Sequence, residues 1–286
     1  MSIVLDNVTY TYMAGTPYER TAINKINLEI KPGEFVGIIG HTGSGKSTLV
    51  QHLNGLLKPT SGSVSVDGIN LNTKASQAKA ARRKVGMVFQ YAEHQLFEET
   101  VYDDIAFGPR NMGVFEENIE RRVRDAMDFV GLDFDMFAKR SPFNLSGGQM
   151  RRVAIAGVIA LEPEYLILDE PSAGLDPKGR DEIFSQIAEL FKTTGIGVVL
   201  VSHNMEDVAR LANRLIVMNH GEISLDGTPS EIFRNGGDRL RDAGVDVPHV
   251  TAFMRKLNQR GLNVADDVLT VNDAAEAILQ AVGRRE

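Results

Sequence analysis

Short apolar stretches recur along most of the chain, and their patterns indicate strands. Residues Ile3 to Tyr12 and Ile26 to Ile30 alternate between apolar and polar positions, which is typical of strands with one buried face. Phe35 to Ile39, Tyr165 to Leu168 and Ile196 to Val201 are apolar almost throughout. Strands of this second kind occur in sheets that are covered on both faces. The pattern therefore predicts an α/β fold with a mostly parallel sheet.

Stretches with helical periodicity separate these strands and continue after the last of them. From about residue 91 to 160 the pattern is helical and the charge density rises, so we predict an inserted helical subdomain there. After Gly227 the pattern thins into short candidate helices separated by Gly and Asp. We therefore divide the chain into a main domain, residues 1–228, and a C-terminal helical accessory region, residues 229–286.

Composition and charge narrow the classes of function. No apolar run approaches the roughly 20 residues that span a bilayer, and the N-terminus lacks the pattern of a secretory signal, so we expect a cytoplasmic protein. The absence of cysteine excludes disulfides and thiol chemistry. The six histidines do not have the spacing of zinc ligands. The net charge of −7 argues against a nucleic-acid partner.

A glycine-rich loop follows the apolar strand Phe35 to Ile39 and precedes an amphipathic helix. It matches the pattern GxxxxGK[ST] and reads Gly40-His41-Thr42-Gly43-Ser44-Gly45-Lys46-Ser47. Glycines at these positions let backbone N–H groups converge on phosphates, and the helix start adds a partial positive charge. We predict that Lys46 reaches the β- and γ-phosphates, that Ser47 binds Mg²⁺, and that Thr48 lies near the α-phosphate. The loop thus predicts ATP and Mg²⁺ as cofactors.

A pair of carboxylates ends the second apolar strand. Asp169 and Glu170 follow Tyr165 to Leu168 directly. Open α/β sheets bind their ligands at the carboxyl ends of the strands. We therefore predict that Asp169 holds the Mg²⁺ shell and that Glu170 polarises the attacking water, with Lys46 completing the catalytic group.

A third motif, Leu145-Ser146-Gly147-Gly148-Gln149, precedes a predicted helix, Met150 to Ala160. A Ser-Gly-Gly step at a helix start offers a second set of N–H donors to an anion. One nucleotide seldom needs two such sites within one molecule. The two sites fit one reaction if Ser146 and Gly148 of one subunit close on the γ-phosphate that another subunit holds.

With these motifs in this order, residues 3 to 228 resemble the nucleotide-binding domain of ABC transporters. The resemblance implies a P-loop NTPase fold of the ABC type, with N-terminal antiparallel strands, a mostly parallel sheet, an inserted helical subdomain and a small C-terminal helical appendage. It implies an ATPase in which two such domains meet head to tail around two ATP molecules, and in which hydrolysis reopens the dimer. Ser146, Gly147, Gly148 and Gln149 then act in trans.

The same resemblance implies roles for residues outside the three motifs. Gln90 matches the glutamine that senses Mg²⁺ and the membrane subunit. His203 matches the switch histidine that contacts the γ-phosphate and the catalytic water. Asp176 ends the loop Ser172-Ala173-Gly174-Leu175-Asp176, which matches the loop that signals across the dimer in trans. Tyr12 matches the aromatic residue that stacks on adenine, and packing in the core is its alternative role.

A narrower resemblance begins at Gln90. The stretch from Phe89 to Phe97, continued to Pro109, is similar to that of ATPases in energy-coupling factor (ECF) transporters. One departure is Tyr91-Ala92-Glu93-His94, where that family more often has a proline and another residue before Gln. The Gly40-His41-Thr42-Gly43 form of the loop and the C-terminal region resemble the second ATPase paralogue of that family. This resemblance implies import of vitamins or transition-metal ions, at the cytoplasmic face of the cell membrane, by a peripheral subunit.

The ECF resemblance also implies partners. These are a paralogous or identical ATPase subunit, a transmembrane scaffold and a substrate-binding membrane subunit, with residues 229–286 helping to hold the ATPase pair together. One alternative is the ATPase subunit of an ABC transporter outside the ECF family. Another is a non-transport ABC ATPase of DNA repair or translation, although these usually carry coiled-coil or zinc insertions or two cassettes. A third is a nucleotide-dependent regulatory module without turnover, against which Glu170 argues.

Overall fold

Two β-sheets provide the frame of the protein. The computed structural model describes residues 1–73 and 75–283, so residues 284–286 of the predicted accessory region lie outside the described residues. The strands are β1 Ile3–Tyr12, β2 Arg20–Ile30, β3 Phe35–Ile39, β4 Ser61–Val66, β5 Ile69–Asn70, β6 Val85–Val88, β7 Tyr165–Asp169, β8 Gly197–Val201, β9 Arg214–Asn219 and β10 Glu222–Gly227.

Helices occupy most of the chain between and after these strands. They are α1 Lys46–Leu53, α2 Ser76–Arg83, α3 Val101–Met112, α4 Glu116–Phe129, α5 Phe134–Phe137, α6 Gly147–Ile159, α7 Pro177–Thr194, α8 Met205–Leu211, α9 Pro229–Asn235, α10 Gly237–Asp242, α11 His249–Gln259 and α12 Val271–Gly283. Among the described residues, no helix combines the length and the apolar character that crossing a membrane requires.

The larger sheet has the order β10-β9-β3-β8-β7-β6, and its strands are parallel except for β10. Its central strands are buried on both sides. In β7, Leu166 and Leu168 face one apolar cluster, while Tyr165 and Ile167 face another. The prediction of a mostly parallel sheet is therefore confirmed. Its central strands are apolar almost throughout because both of their faces are buried.

The smaller sheet has the order β2-β1-β4-β5 and is antiparallel, as the resemblance implied. Its apolar face shares a cluster with α1 and with one face of the larger sheet. Leu49, Val50 and Leu53 of α1 are all fully buried there. Helix α1 therefore lies between two sheets, and this packing sets the direction in which its N-terminus points.

Strands β2 and β10 differ from the sequence prediction. Strand β2 begins at Arg20, six residues before the predicted start at Ile26, because it pairs with the far end of β1 at Tyr12. Strand β10 was not predicted at all. It forms a hairpin with β9 through His220 and Gly221, whose φ angles of 48° and 80° are those of a tight hairpin turn.

The segment after β10 contributes to two different cores. In the first, Ile232 and Phe233 of α9 pack with Leu215 and Val217 of β9. In the second, a small cluster around Met254 joins α11 and α12. The turn after α10 also contacts the glycine-rich loop, because the backbone N–H of His41 donates to the carbonyl of Ala243 at 3.0 Å.

We expect a pH-dependent contribution to stability from His52 of α1. The ring Nδ1 lies 2.7 Å from the Thr48 carbonyl, and burial lowers the pKa of His52. The unfolded chain, with an ordinary histidine pKa of about 6.5, then binds the proton more tightly than the folded chain. The free energy of unfolding should therefore fall as the pH is lowered through the unfolded-state pKa of about 6.5. The contribution of His52 to this fall is at most about 1.4 kcal/mol per pH unit.

Urea unfolding at pH 7.5, 6.5 and 5.5 checks this expectation. The variant His52→Gln should lose less stability over this range than the wild type. His94→Gln, which removes an exposed histidine, is the matched control and should keep the wild-type dependence. Identical pH profiles for wild type and His52→Gln would contradict the assignment.

Candidate nucleotide-binding and catalytic site

The glycine-rich loop connects β3 to α1, as predicted from the sequence. Gly40 has a φ of 148°, and a Cβ at this position would lie 2.3 Å from the Met218 carbonyl oxygen. Gly45 has a φ of 104°, and its Cβ would lie 2.6 Å from the Ala22 carbonyl oxygen. Neither position admits a side chain, because both the conformation and the space exclude it. Because no side chain covers the loop at these two positions, its backbone stays accessible to a ligand.

Lys46 is buried at the start of α1. Its Nζ donates hydrogen bonds to the carbonyls of Gly40 at 2.7 Å and His41 at 3.0 Å. Burial lowers the pKa of Lys46, and the nearby carboxylates of Glu170 and Asp169 act in the opposite direction. An ammonium group at the start of a helix, beside the glycine-rich loop, can meet phosphate oxygens bound there.

Ser47 and Asp169 come together from different parts of the chain. The Ser47 side chain hydrogen-bonds the Asp169 carboxyl, which is buried at the end of β7. Burial raises the pKa of Asp169, while the bond from Ser47 and the charge of Lys46 lower it. A hydroxyl and a carboxylate in contact are oxygen ligands of the type that Mg²⁺ prefers. These two residues therefore fit the predicted metal position.

Glu170 is held from two sides. Its Oε2 accepts a hydrogen bond from Nε2 of Gln90 at 2.9 Å, and its Oε1 lies 2.6 Å from Nε2 of His203. Its own φ is 52°, in the left-handed region that non-glycine residues rarely adopt, at an order-of-magnitude cost of about 1 kcal/mol. The backbone N–H of Glu170 donates to the carbonyl of Val201 at 3.0 Å. The neighbouring strand β8 thus fixes the backbone at Glu170, while Gln90 and His203 hold its carboxylate.

These groups open into one cleft of about 340 Å³. It is lined by Tyr12, Arg20, Ala22, Thr42, Gly43, Gly45, Lys46, Ser47, Thr48, Gln90, Glu170 and His203. Gly40, His41 and Ser44 belong to the same loop but do not line this cleft: Gly40 and His41 line a neighbouring cavity, and Ser44 is fully buried. The structure thus gathers the loop, the carboxylate and the residues after β6 and β8 at one edge of the sheet.

Tyr12 is one of the residues that line this cleft. It is 41% exposed, and its hydroxyl lies 3.2 Å from Oγ1 of Thr48. Its ring packs edge-on against Tyr10 at a centroid distance of 4.8 Å. This exposure argues against the alternative of a core tyrosine.

Sequence reasoning missed Arg20, which pairs with Tyr12 across the sheet and also lines the cleft. The sequence signal that could have found Arg20 is the apolar–polar alternation of β2, extended towards the N-terminus from Ile26.

The residues predicted to act in trans lie outside this cleft. Ser146 caps α6, accepting from the N–H of Gln149 at 3.3 Å, while the Gln149 side chain accepts from the N–H of Ser146 at 3.0 Å. Gly147 is exposed and Gly148 partly exposed, in the first turn of a helix, where N–H groups have no intrahelical partner. Asp176 is exposed and caps α7 by accepting from the N–H of Gly179 at 2.9 Å.

The fold and the site together define a P-loop ATPase of the ABC class. A family model described as "ABC transporter" matches residues 23–173. An energy-coupling factor transporter ATP-binding protein, EcfA2, from Clostridium perfringens is 55% identical over 282 residues, covering 99% of each chain. The EcfA2 protein of Clostridioides difficile is 52% identical over 285 residues, covering 100% of this chain and 99% of that protein.

Solved structures agree with this class. The structure of cbiO1 from Clostridium perfringens, described as part of the ABC transporter complex cbiONQ, has a TM-score of 0.73 and 36% identity, covering 91% of this chain and 95% of that chain. The ATP-binding cassette MJ0796, in a dimeric post-hydrolysis state with ADP and Pi, has a TM-score of 0.71 and 32% identity, covering 79% of this chain and 98% of that chain.

The chain belongs to the ABC transporter family and, within it, to the ATP-binding proteins of energy-coupling factor transporters. It is an ATP-hydrolysing transporter subunit. The resemblance inferred from the motifs is confirmed over the whole chain. Similarity of this extent to ECF proteins favours the ECF family over two alternatives considered from the sequence, a non-transport ABC ATPase and an ABC transporter outside the ECF family.

We expect Lys46→Ala to weaken ATP binding to the isolated chain by roughly 10- to 100-fold. Hydrogen bonds to a charged group contribute about 1.5–3 kcal/mol, and each 1.4 kcal/mol changes an affinity about tenfold. Titration with a fluorescent ATP analogue in the presence of Mg²⁺ measures this change.

Lys84→Ala is the matched control for Lys46→Ala. Lys84 pairs with Asp67 at 2.7 Å and Glu164 at 3.0 Å, outside the cleft, so its removal should leave the affinity unchanged. Equal affinities for wild type and Lys46→Ala would exclude this cleft as the phosphate site.

Proposed function

We propose that the chain binds Mg²⁺ and ATP in the cleft above α1 and hydrolyses ATP in a site completed by a second ATPase subunit. Closure and reopening of that dimer would power an ECF-type importer of vitamins or transition-metal ions. The observation that carries the proposal is the position of Glu170, held between Gln90 and His203 beside Lys46 and the Ser47–Asp169 pair.

Residues of the loop would bind the nucleotide. The backbone N–H groups from His41 to Thr48 and the ammonium of Lys46 would hold the phosphates, and Tyr12 would stack on the adenine. Ser47, Asp169 and Gln90 would hold Mg²⁺, which supplies positive charge to the β- and γ-phosphate oxygens when bound. The contact between Ser47 and Asp169 supports this assignment, because it already joins the loop to β7.

Glu170 would orient and polarise the attacking water. Strand β8 fixes the backbone of Glu170 and Gln90 donates to its carboxylate, so the carboxylate needs little reorganisation to accept a hydrogen bond from water. His203 would contact the γ-phosphate and the same water, and Lys46 would stabilise the charge that develops on the transferred group. The distance of 2.6 Å between Glu170 and His203 supports a shared role.

A second subunit would supply the remaining donors. The N–H groups of Gly147 and Gly148, with Ser146, Gln149 and Asp176, are at or near the surface and away from this chain's own cleft. Such donors would meet the γ-phosphate bound by the facing subunit. The dimeric form of MJ0796, described with ADP and Pi, supports a dimer as the working state.

The helical subdomain offers a docking surface for a transmembrane scaffold. Tyr91 is 57% exposed and Phe97 is 56% exposed, and both follow Gln90 closely along the chain. Exposed aromatic residues at this place suit contact with a membrane subunit. We also propose that a substrate-binding membrane subunit selects the cargo, and that the chain works at the cytoplasmic face of the membrane as a peripheral subunit. The description of cbiO1 as part of a transporter complex supports this arrangement.

The C-terminal region, residues 229–283 of the described chain, would help to join the two ATPase subunits. Helix α12 exposes Val271 and Leu279, which are 75% and 72% accessible to solvent. We propose that the partner is a paralogue, so that each subunit contributes a loop to one site and a Ser146 region to the other.

The state of Glu170→Gln protein tests this proposal. With Mg²⁺ and ATP, light scattering should show an ATP-dependent dimer, either of this chain alone or with its paralogue, because removal of the carboxylate prevents the hydrolysis that reopens the dimer. The same variant in the assembled transporter should release phosphate at least about 100-fold more slowly than the wild type.

Lys46→Ala is the control and should remain monomeric with ATP. A dimer of this chain alone would indicate that it can complete both sites, whereas a dimer only with the paralogue would indicate a mixed pair. A Glu170→Gln transporter that hydrolyses ATP at the wild-type rate would overturn the proposed role of Glu170.

A further inference from the structure

Arg151 is a buried arginine in the helix that begins at Ser146. It is 2% exposed and lies in the second turn of α6, where a solvated side chain would be the usual choice for this residue type. A guanidinium removed from water is stabilised only when its N–H groups find hydrogen-bond acceptors. Its contacts therefore identify what the side chain holds.

The guanidinium joins α6 to two loops. Towards the segment after β6, Nη2 donates to the Gln90 carbonyl, and Nε and Nη2 lie 3.2 Å and 3.0 Å from Oε2 of Glu93. Towards the segment after β7, Nη1 donates to the Ala173 carbonyl and lies 3.5 Å from the Pro171 carbonyl. All of these partners are oxygen acceptors, and one of them carries the compensating charge.

Both loops lead to the carboxylate of Glu170. Gln90, whose carbonyl binds Arg151, donates through its side chain to Glu170. Pro171 follows Glu170 directly in the chain, and the loop continues from Ala173 to Asp176 at the start of α7. Arg151 thus binds the backbone of both loops next to Glu170, but it does not contact the Glu170 side chain.

The geometry requires arginine rather than lysine. Arginine presents five N–H donors in a rigid planar fork, and here the fork reaches acceptors of two segments at once. A lysine ammonium is a compact charge at the end of a flexible chain. It can donate hydrogen bonds to the carbonyls of one segment, but it leaves the carbonyls of the other segment without a donor.

We propose that Arg151 is a positioning residue, which couples the Ser146 end of α6 to the Gln90 loop and to the loop between Glu170 and Asp176. This inference rests on the proposed function. When Ser146 docks on the nucleotide of a facing subunit, the resulting shift of α6 is transmitted by Arg151 to this chain's own Glu170. One side chain thereby links the trans element of one ATP site to the cis elements of the other.

A purely structural role for Arg151 is the competing explanation, and Arg122 provides the matched control. Arg122 also lies partly buried against α6, but at the opposite end of that helix. It donates to the Ala160 carbonyl at 3.4 Å and pairs with Glu162 at 2.6 Å. It has the same kinds of partner as Arg151, a carbonyl and a carboxylate, but no link to the residues around Glu170.

The first experiment measures amide hydrogen exchange in the isolated chain with and without ATP. We expect Arg151→Met to raise exchange in residues 90–95 and 171–176 by about tenfold or more, because the two loops lose their common support. Arg122→Met should leave both segments unchanged and affect the region around Ala160 instead. Unchanged exchange of the two loops in Arg151→Met would overturn the proposal, whether or not the transporter hydrolyses ATP.

The second experiment measures steady-state ATP hydrolysis by the assembled transporter. Arg151→Met should lower kcat by roughly 10- to 100-fold, because a displacement of about 1 Å at a reacting group can cost that much, while KM for ATP changes less than about threefold. Arg151→Lys should recover part of kcat. Arg122→Met should show a comparable fall in Tm with kcat within about twofold of wild type.

Glu93→Gln keeps the test valid if Arg151→Met does not fold. This variant retains a side-chain oxygen but removes the carboxylate charge, and should lower kcat by about threefold to tenfold with little change in KM. Equal kcat in folded Glu93→Gln, Arg151→Lys and wild type would overturn the proposal. Absence of hydrolysis in the wild-type transporter would instead contradict the proposed function, and the exchange experiment would still decide the role of Arg151.

Discussion

The parallel register of β3, β8 and β7 is the constraint on which the site depends. Ile38 lies opposite Val201, and Val201 lies opposite Asp169, so these strands end at one level. The loop before α1, Glu170 and His203 follow these strand ends, and Asp169 is the last residue of β7. Because the carboxyl ends of parallel strands meet at one edge of a sheet, residues more than 120 positions apart form a single site.

Buried charge is balanced within this edge of the molecule. Lys46 pays a desolvation cost that lowers its pKa, and the nearby carboxylates partly offset it. The reverse holds for Asp169, whose pKa is raised by burial and lowered by Ser47 and Lys46. Bound phosphates and Mg²⁺ would add charges of both signs to this arrangement. The binding of charged ligands would therefore change the pKa values of Lys46 and Asp169, and with them the stability of the cleft.

The chain presents the two predicted sets of N–H donors at separate places on its surface. The loop before α1 faces its own cleft, whereas the start of α6 is exposed elsewhere on the surface. Arg151 lies between them, with hydrogen bonds to the backbone on both sides of Glu170. Under the proposed function, such a chain would contribute half of each of two sites, and contacts inside the chain would connect them.

The class of the protein was readable from the sequence, because its motifs are contiguous and each has a local physical reason. The loop from Gly40 to Ser47 needs glycines wherever its backbone turns sharply, and the fully apolar strands follow from burial on both faces. Strand β10 was missed, because its pairing depends on a two-residue turn at His220 and Gly221 rather than on a strong apolar pattern.

Contacts between distant segments were decided by tertiary structure alone. Arg20 lines the cleft only because β2 pairs with β1 as far as Tyr12, and Arg151 is buried only because α6 packs beneath two loops. In sequence, Arg151 is indistinguishable from its neighbour Arg152, whose guanidinium points instead to Val130 and Glu182. A local motif specifies its own backbone, but the partner of a long side chain depends on which distant segment the fold brings within reach.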